Sequence, residues 1–410
     1  MDLFTGKLLW PDTLPQPPQY PSLEEDITCD VLIIGGGVAG ALCGYYLMKQ
    51  GVNAVLVDKR SIGAGTTAAN SGILQCSNDK SLTSCIHSFG EQNGVRFYQL
   101  CRDAVNELGR ICAELDLDAE YLKRSCLYVA SQENDLASLR KEYELLHRYG
   151  FSVSYWEEEQ ISRSFSFHKP GAIYSEGDAV FNPYKLANGL IEILSRKFGL
   201  RVYTDTEIRS HVAYENHLVF HTRTRRTITA AKAVIATGYE AQMMKRNPNA
   251  MLESTFAVAT QRLKAFPGWY EQCLIWETAR PYLYIRTTAD NRIIIGGMDE
   301  ATANAQERDA MLLRKKELLL AETIKLFPEL GRLQAEYSWS ATFGSTHDGL
   351  PLIGTQEEFP HCYFALGYGG NGTVYCTIAG QIISSLIASG SHPDAHLFRF
   401  DRPSRQLSYS

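Results

Sequence analysis

Val31-Leu32-Ile33-Ile34-Gly35-Gly36-Gly37-Val38-Ala39-Gly40 is the stretch that decides the fold. Its four leading apolar residues read as a buried parallel strand, and a helical run from Val38 to Gln50 follows. Gly35 permits a tight turn, Gly37 lets backbone approach a pyrophosphate, and Gly40 lets the helix pack closely on the strand. The positive end of the helix, with Val38 and Ala39 in its first turn, faces the phosphates. Ala54-Val55-Leu56-Val57 supplies a second strand, and Asp58 at its end is placed to accept hydrogen bonds from a ribose diol. Lys59 and Arg60 continue the candidate cofactor segment. Strand, turn, helix, second strand and acid all fall where a dinucleotide site needs them.

The rest of the chain widens that reading. Residues 63–72, Gly-Ala-Gly-Thr-Thr-Ala-Ala-Asn-Ser-Gly, are poor in large side chains. They suit a loop over a bound cofactor, with Gly65, Thr66, Thr67, Asn70, Ser71 and Gly72 as its contacts. Ala236-Thr237-Gly238 ends an apolar strand and forms a second turn compatible with a cofactor. Near the C-terminus, Gly367, Gly369 and Gly372 repeat the glycine spacing between a strand at Cys362–Leu366 and a helix at Val374–Ala388. No second strand ending in an acid follows, so a second dinucleotide domain has no room. Gly367, Gly369, Gly370, Asn371, Gly372 and Thr373 therefore read as a glycine-lined helix N-terminus set against an electron-rich group. In a flavoprotein that group is the N1–C2=O edge of the isoalloxazine ring.

Composition sets the bounds. The chain has 410 residues, 45% of them hydrophobic and 21% charged, which predicts two packed domains of an ordinary globular protein. Net charge is −6, so electrostatics offer no case for nucleic acid or an anionic membrane. Ten scattered cysteines form no CxxC or metal-ligand pattern; no metal is expected, and the cytoplasm is the expected location. No signal peptide or membrane span is read. Residues 1–26 are expected to be an extended arm. Helical patterns cover Leu82–Leu115, Ala137–Tyr149, Tyr184–Phe198 and Arg314–Phe327. Alternating runs at Ser254–Ala265 and Ala279–Asp299 predict an antiparallel sheet, with a turn at Asp290-Asn291.

With these motifs in this order, the chain resembles the FAD-dependent oxidoreductases of the D-amino-acid oxidase superfamily. Within it, Ile27–Asp30, Ala289–Arg292 with Gly296-Gly297, and Gly367–Gly372 look most like the gamma-glutamylputrescine oxidoreductase group. Glycine and sarcosine oxidases look more distant. The resemblance implies an α/β fold, α+β overall: a Rossmann-like FAD-binding domain interwoven with a substrate domain on a mixed, largely antiparallel sheet. The FAD domain is expected from residues 27–85, 181–244 and 336–410, and the substrate domain from 86–180 and 245–335. The resemblance implies noncovalent FAD, with Gly344 added to the cofactor set.

It also implies oxidation of a C–N bond. Hydride passes from the carbon bearing nitrogen to flavin N5, and the imine then hydrolyses. Relatives that bind a free amino-acid carboxylate use an arginine before the Asp-Gly-x-Pro stretch; here Phe343 stands there, ahead of Asp348-Gly349-Leu350-Pro351. That disfavours glycine or sarcosine as substrate and points to a small amine, such as a gamma-glutamylputrescine-like one. Tyr282 and Tyr284 share a strand face and are the candidate pocket wall. Arg286 is the candidate substitute for the carboxylate clamp, and Asn70 and Ser71 are candidate contacts to flavin or substrate. Asp178 and Glu176 are candidates for a distant ammonium, and His347 for a structural hydrogen bond near the cofactor segment. The alternatives are glycine, sarcosine or D-amino-acid oxidation, and an FAD-bearing subunit of a larger dehydrogenase complex. The electron acceptor (O2, a quinone or a protein) and the oligomeric state stay open.

Overall fold

Ile27–Ile34 lies inside an eight-stranded sheet, between Thr227–Ile235 and Ala54–Val57, and is parallel to both. Cys362–Leu366 and Arg201–Tyr203 extend the parallel array on either side, and Leu352–Thr355 closes one edge antiparallel. Such strands are covered on both faces, which is why they are continuously apolar. Val31 and Ile33 pack toward a helical layer. Leu32, Val55 and Val57 pack the opposite way, against Leu218, Phe220 and Ile228 of a small antiparallel meander. The structure is a computed structural model, and it describes residues 1–402.

The helical layer is built around Val38–Lys49, which packs on Gly372–Ser389 and Pro183–Phe198. Val38–Lys49 is buried almost all round, so it carries no polar face. Pro183–Phe198 begins where Asn182 caps the Lys185 N–H, with Pro183 in the first turn, and ends at Gly199 in the left-handed region. Gly372–Ser389 is the one helix among the described residues long and apolar enough to cross a membrane, yet 67% of it is buried inside the fold. It serves as a core helix here.

The second sheet has ten strands. Its order runs Phe4–Lys7, Ala335–Thr346, Ala250–Thr260, Ile293–Glu300, Leu283–Thr287, Leu274–Glu277, Leu122–Val129, Gly171–Val180 and Ile73–Leu74, with Val153–Glu157 also paired to Gly171–Val180. Every pairing is antiparallel except Leu274–Glu277 with Leu122–Val129. The mixed, largely antiparallel architecture is the expected one. Asp290-Asn291 makes the expected turn, with Asn291 at φ 63°.

Some elements depart from expectation. Residues 1–26 are not simply an extended arm: Phe4–Lys7 is an edge strand of the larger sheet, and Trp10 is buried. Residues 336–346, expected with the cofactor domain, pair within the larger sheet because Ala335–Thr346 registers along Ala250–Thr260. The end of that expected range, 403–410, lies outside the described residues. The helical run from Leu82 is two helices, Leu82–Phe89 and Glu91–Leu115, hinged at Gly90 with φ 84°. Arg314–Phe327 is the end of a longer helix, Ala305–Leu326, capped by Asn304. All ten cysteines are free and buried.

Candidate active site

A cleft of about 630 Å³ runs between the parallel sheet and the larger sheet, within the size range of ligand sites. One wall is the glycine cradle. A Cβ at Gly35 would run into the Ala236 carbonyl oxygen, and a Cβ at Gly40 into that of Gly35. A Cβ at Gly37 would stand 2.9 Å from Thr67 Oγ1. So Gly40 serves the close packing of helix on turn, whereas Gly35, pressed against Ala236, lines the cleft together with Gly37, Val38 and Ala39. The Val38 N–H donates to Thr67 Oγ1 at 3.1 Å, which binds the small-residue loop to the helix N-terminus.

Asp58 lies on the cleft with its carboxylate accepting from the Gly36 N–H at 2.6 Å and the Arg60 N–H at 2.8 Å. Burial pushes this carboxyl up, and the two amide donors oppose that shift. Lys59 and Arg60 both donate to Glu240, at 2.8 and 2.9 Å. Gly65, Thr66, Thr67, Asn70 and Ser71 line the cleft, as do Ala236, Thr237 and Gly238. Gly367, Gly369, Gly370, Gly372 and Thr373 bring the second glycine-rich helix start to the same space.

Several expected site residues stand elsewhere. Gly40 is behind the cradle, and Gly344 packs under the Tyr239 ring. Asn371 is turned away: its side-chain amide donates to the carbonyls of Gln75 and Ser77 and to Asn78, which fixes the glycine loop. Gly72, at φ 70°, is pressed against the Phe181 carbonyl. Its N–H donates to Asn70 Oδ1 at 2.7 Å, so it shapes the loop without lining the cleft.

Arg286 is the main correction. Its guanidinium is fully buried over the Trp10 ring and donates to the carbonyls of Ser71, Gly72, Phe181 and Thr287. Burial lowers its pKa to about 9. It holds the cofactor-side loop to the larger sheet, does not line the cleft, and has no geometry for a substrate carboxylate. Asp178 is likewise buried, accepting from the Cys76 N–H at 2.8 Å and from Ser175, and Glu176 is exposed on the strand Gly171–Val180. His347 is exposed and donates its backbone N–H to Asn249; its side chain is not on the cleft.

The larger sheet forms the facing wall. Tyr282 and Tyr284 both line it, with ring centroids 6.2 Å apart. Tyr284 pairs with Gly296, where a Cβ would collide with the phenol, so the glycine makes room for the ring. Phe343, Thr342, Ala341 and Thr255 complete that wall from neighbouring strands. Asp299, Tyr239 and Tyr368 also line the cleft and were not among the expected residues. The lysine and arginine residues on the cleft, Lys59, Arg60 and Arg209, come from the parallel-sheet side and its meander.

The cleft suits FAD by its own geometry. It combines two glycine-rich helix starts with an acid at the end of the second strand. It also has a buried hydroxyl, Thr237 Oγ1, that finds no partner within the protein. The fold and this site define an FAD-dependent oxidoreductase.

The chain belongs to the family described as DAO, FAD dependent oxidoreductase, whose model matches residues 30–386. Among its relatives is the gamma-glutamylputrescine oxidoreductase of Escherichia coli (strain K12), 26% identical over 387 residues, covering 90% of this chain and 85% of that one. The glycine oxidase of Bacillus subtilis (strain 168) is 22% identical over 379 residues, covering 91% of this chain and 97% of the relative. Among solved structures, glycine oxidase from Geobacillus kaustophilus superposes with a TM-score of 0.77 at 22% identity, covering 92% of this chain and 99% of that chain. That likeness establishes the shared fold.

Proposed function

We propose that this protein oxidises a C–N bond of an amine that is not held by a free α-carboxylate, with noncovalently bound FAD as cofactor. The observation that carries this reading is the wall facing the glycine cradle. Tyr282, Tyr284 and Phe343 stand on it, and the nearby Arg286 is spent on backbone carbonyls. An α-amino acid would there lose a bidentate guanidinium partner, a charge-assisted contact of about 1.5–3 kcal/mol. The aromatic faces favour an alkyl chain or a cationic nitrogen instead.

FAD, when bound, supplies a two-electron acceptor for the amine's carbon. The chain's own residues bind, orient and exclude water. Gly37, Val38 and Ala39 would cradle the pyrophosphate at a helix N-terminus, and Asp58 keeps acceptor capacity toward a ribose. The helix start at Gly372-Thr373 would set its positive end against the ring. Tyr282, Tyr284 and Phe343 restrict how a bound amine lies, which is the orientation term of catalysis. The relative from Escherichia coli, named for gamma-glutamylputrescine, supports an aminoalkyl substrate for this chain as well. Ten free cysteines support a reducing location, the cytoplasm.

Anaerobic mixing of the FAD-bound protein with diamines, N-acyl diamines, glycine, sarcosine and D-amino acids tests the reading. Bleaching of the flavin absorbance by amines without an α-carboxylate is expected. Bleaching by glycine or a D-amino acid alone would replace it with amino-acid oxidation. Bleaching by none would leave an FAD-bearing subunit that acts only within a larger complex.

A further inference from the structure

Asp299 is the acid on the cleft for which the fold makes special provision. Ile293–Glu300 runs as a regular strand until Gly297 at φ 116° and Met298 at φ 55°. A methionine in the left-handed region costs on the order of 1 kcal/mol and persists only where surroundings impose it. On the partner strand the register shifts at the same place, between Ser254 and Phe256. The pair of irregularities is a bulge, a device that re-aims the following side chain. The side chain that follows is Asp299, on the cleft wall.

Its carboxylate is left incomplete. Asp299 Oδ1 is buried and accepts no hydrogen bond within the protein. Burial pushes the carboxyl up to about 6, and Asp79 and Glu253 push the same way; the Thr255 side chain and Lys315 pull against them. Lys315 is already committed to the Met298 carbonyl and Glu300. Asp79 accepts from the Gly370 N–H at 3.0 Å, on the glycine loop. A buried carboxylate oxygen without a partner is costly, and the cost is removed by a cation that brings its own donors. The electron-rich faces of Tyr282 and Tyr284 on the same wall favour the same kind of guest.

We propose that Asp299 is a specificity-determining residue that, with Tyr282 and Tyr284, holds an alkylammonium nitrogen of the substrate. The inference rests on the amine-oxidation reading and narrows it: the substrate class is aminoalkyl, recognised by its positive charge and not by a carboxylate. It also moves the ammonium-binding role away from Asp178 and Glu176, which do not reach the cleft.

Calorimetric titration of the FAD-bound protein tests this with probes that are not turned over. Choline is the permanent cation, its neutral carbon isostere the control, and acetate the anion. Wild type should bind choline more tightly than the isostere. Asp299→Asn should weaken choline by about tenfold or more while leaving FAD content and isostere binding unchanged. Equal affinity for choline and the isostere in wild type would overturn the proposal, as would preference for acetate or unaltered choline binding in Asp299→Asn. The wild-type comparison stands even if the variant folds poorly. Choline binding without bleaching by any amine would sink the amine-oxidation reading and keep the cation site. Bleaching by amines without Asp299-dependent choline binding would do the reverse.

Discussion

Asp178 shows how one side chain can be structural and costly together. It is fully buried, and burial raises its carboxyl from 3.8 to about 6 against the donors at Cys76 and Ser175. Between those two values the native state binds more protons than the unfolded chain, so stability falls as pH rises through that window. Asp178→Asn keeps an acceptor for the Cys76 N–H and removes the buried charge. It should gain about 2–3 kcal/mol at about pH 8, fading to nothing below about pH 4, as read from urea unfolding at each pH. Arg286 is the opposite case, a buried cation whose donors are absorbed by carbonyls from separated segments. Arg286→Met leaves those carbonyls unpaired and should cost about 3 kcal/mol or more, with loss of FAD on gel filtration. Neither fate was legible in the sequence. Arg286 shares strand parity with Tyr282 and Tyr284, and only the folded positions of Gly72 and Phe181 show that it is spent. Asp299 was hidden for a related reason, since nothing in Gly297-Met298 announces a bulge.

At the scale of elements, periodicity served well where one face is buried and less well elsewhere. The strand Cys362–Leu366 matches its expected bounds because turns bracket a short apolar run. The helix Ala305–Leu326 begins about two and a half turns before its expected start because Gln306, Glu307, Arg308 and Asp309 fill its first turn with polar and charged side chains. The same blindness hid the break at Gly90, since the apolar stripe continues through both helices. There φ is 84° and ψ 162°, a region essentially confined to glycine, and no neighbouring atom crowds the site. Gly90→Ala should therefore act through backbone strain alone. A loss of about 1–3 kcal/mol in chemical denaturation, with FAD content unchanged, is expected. A loss of FAD would show that the hinge communicates with the cleft.

The whole molecule is two sheets sharing one cleft. Two neighbouring strands of the parallel sheet, the first glycine turn and its acid were readable from residues 31–58 alone, because a dinucleotide site constrains spacing tightly. The larger sheet was readable as alternation, but the partners of its strands were not, since the pairings join Phe4–Lys7 to Ala335–Thr346 and Ile73–Leu74 to Gly171–Val180. Cofactor contacts thus come from a few short motifs, each legible by itself, while the substrate wall is assembled from distant strands. Because both sheets contact the cleft, FAD should stabilise them together. Adding FAD at a hundredfold over its dissociation constant should add about 2.7 kcal/mol and shift a single calorimetric transition upward. A transition that splits, with only one part responding, would show that the sheets unfold independently.

The buried cysteines carry a practical consequence. Burial pushes the thiols up, to about 12 at Cys29, Cys101 and Cys376, so few are thiolates in the native state. A thiol reagent added to the folded protein therefore meets an almost silent molecule, and each label it leaves records an opening event. Cys376 alone among the cysteines borders the cleft. Its labelling rate, compared with the slower average of the rest, separates departure of the cofactor from unfolding of the chain with one reagent and a mass spectrometer.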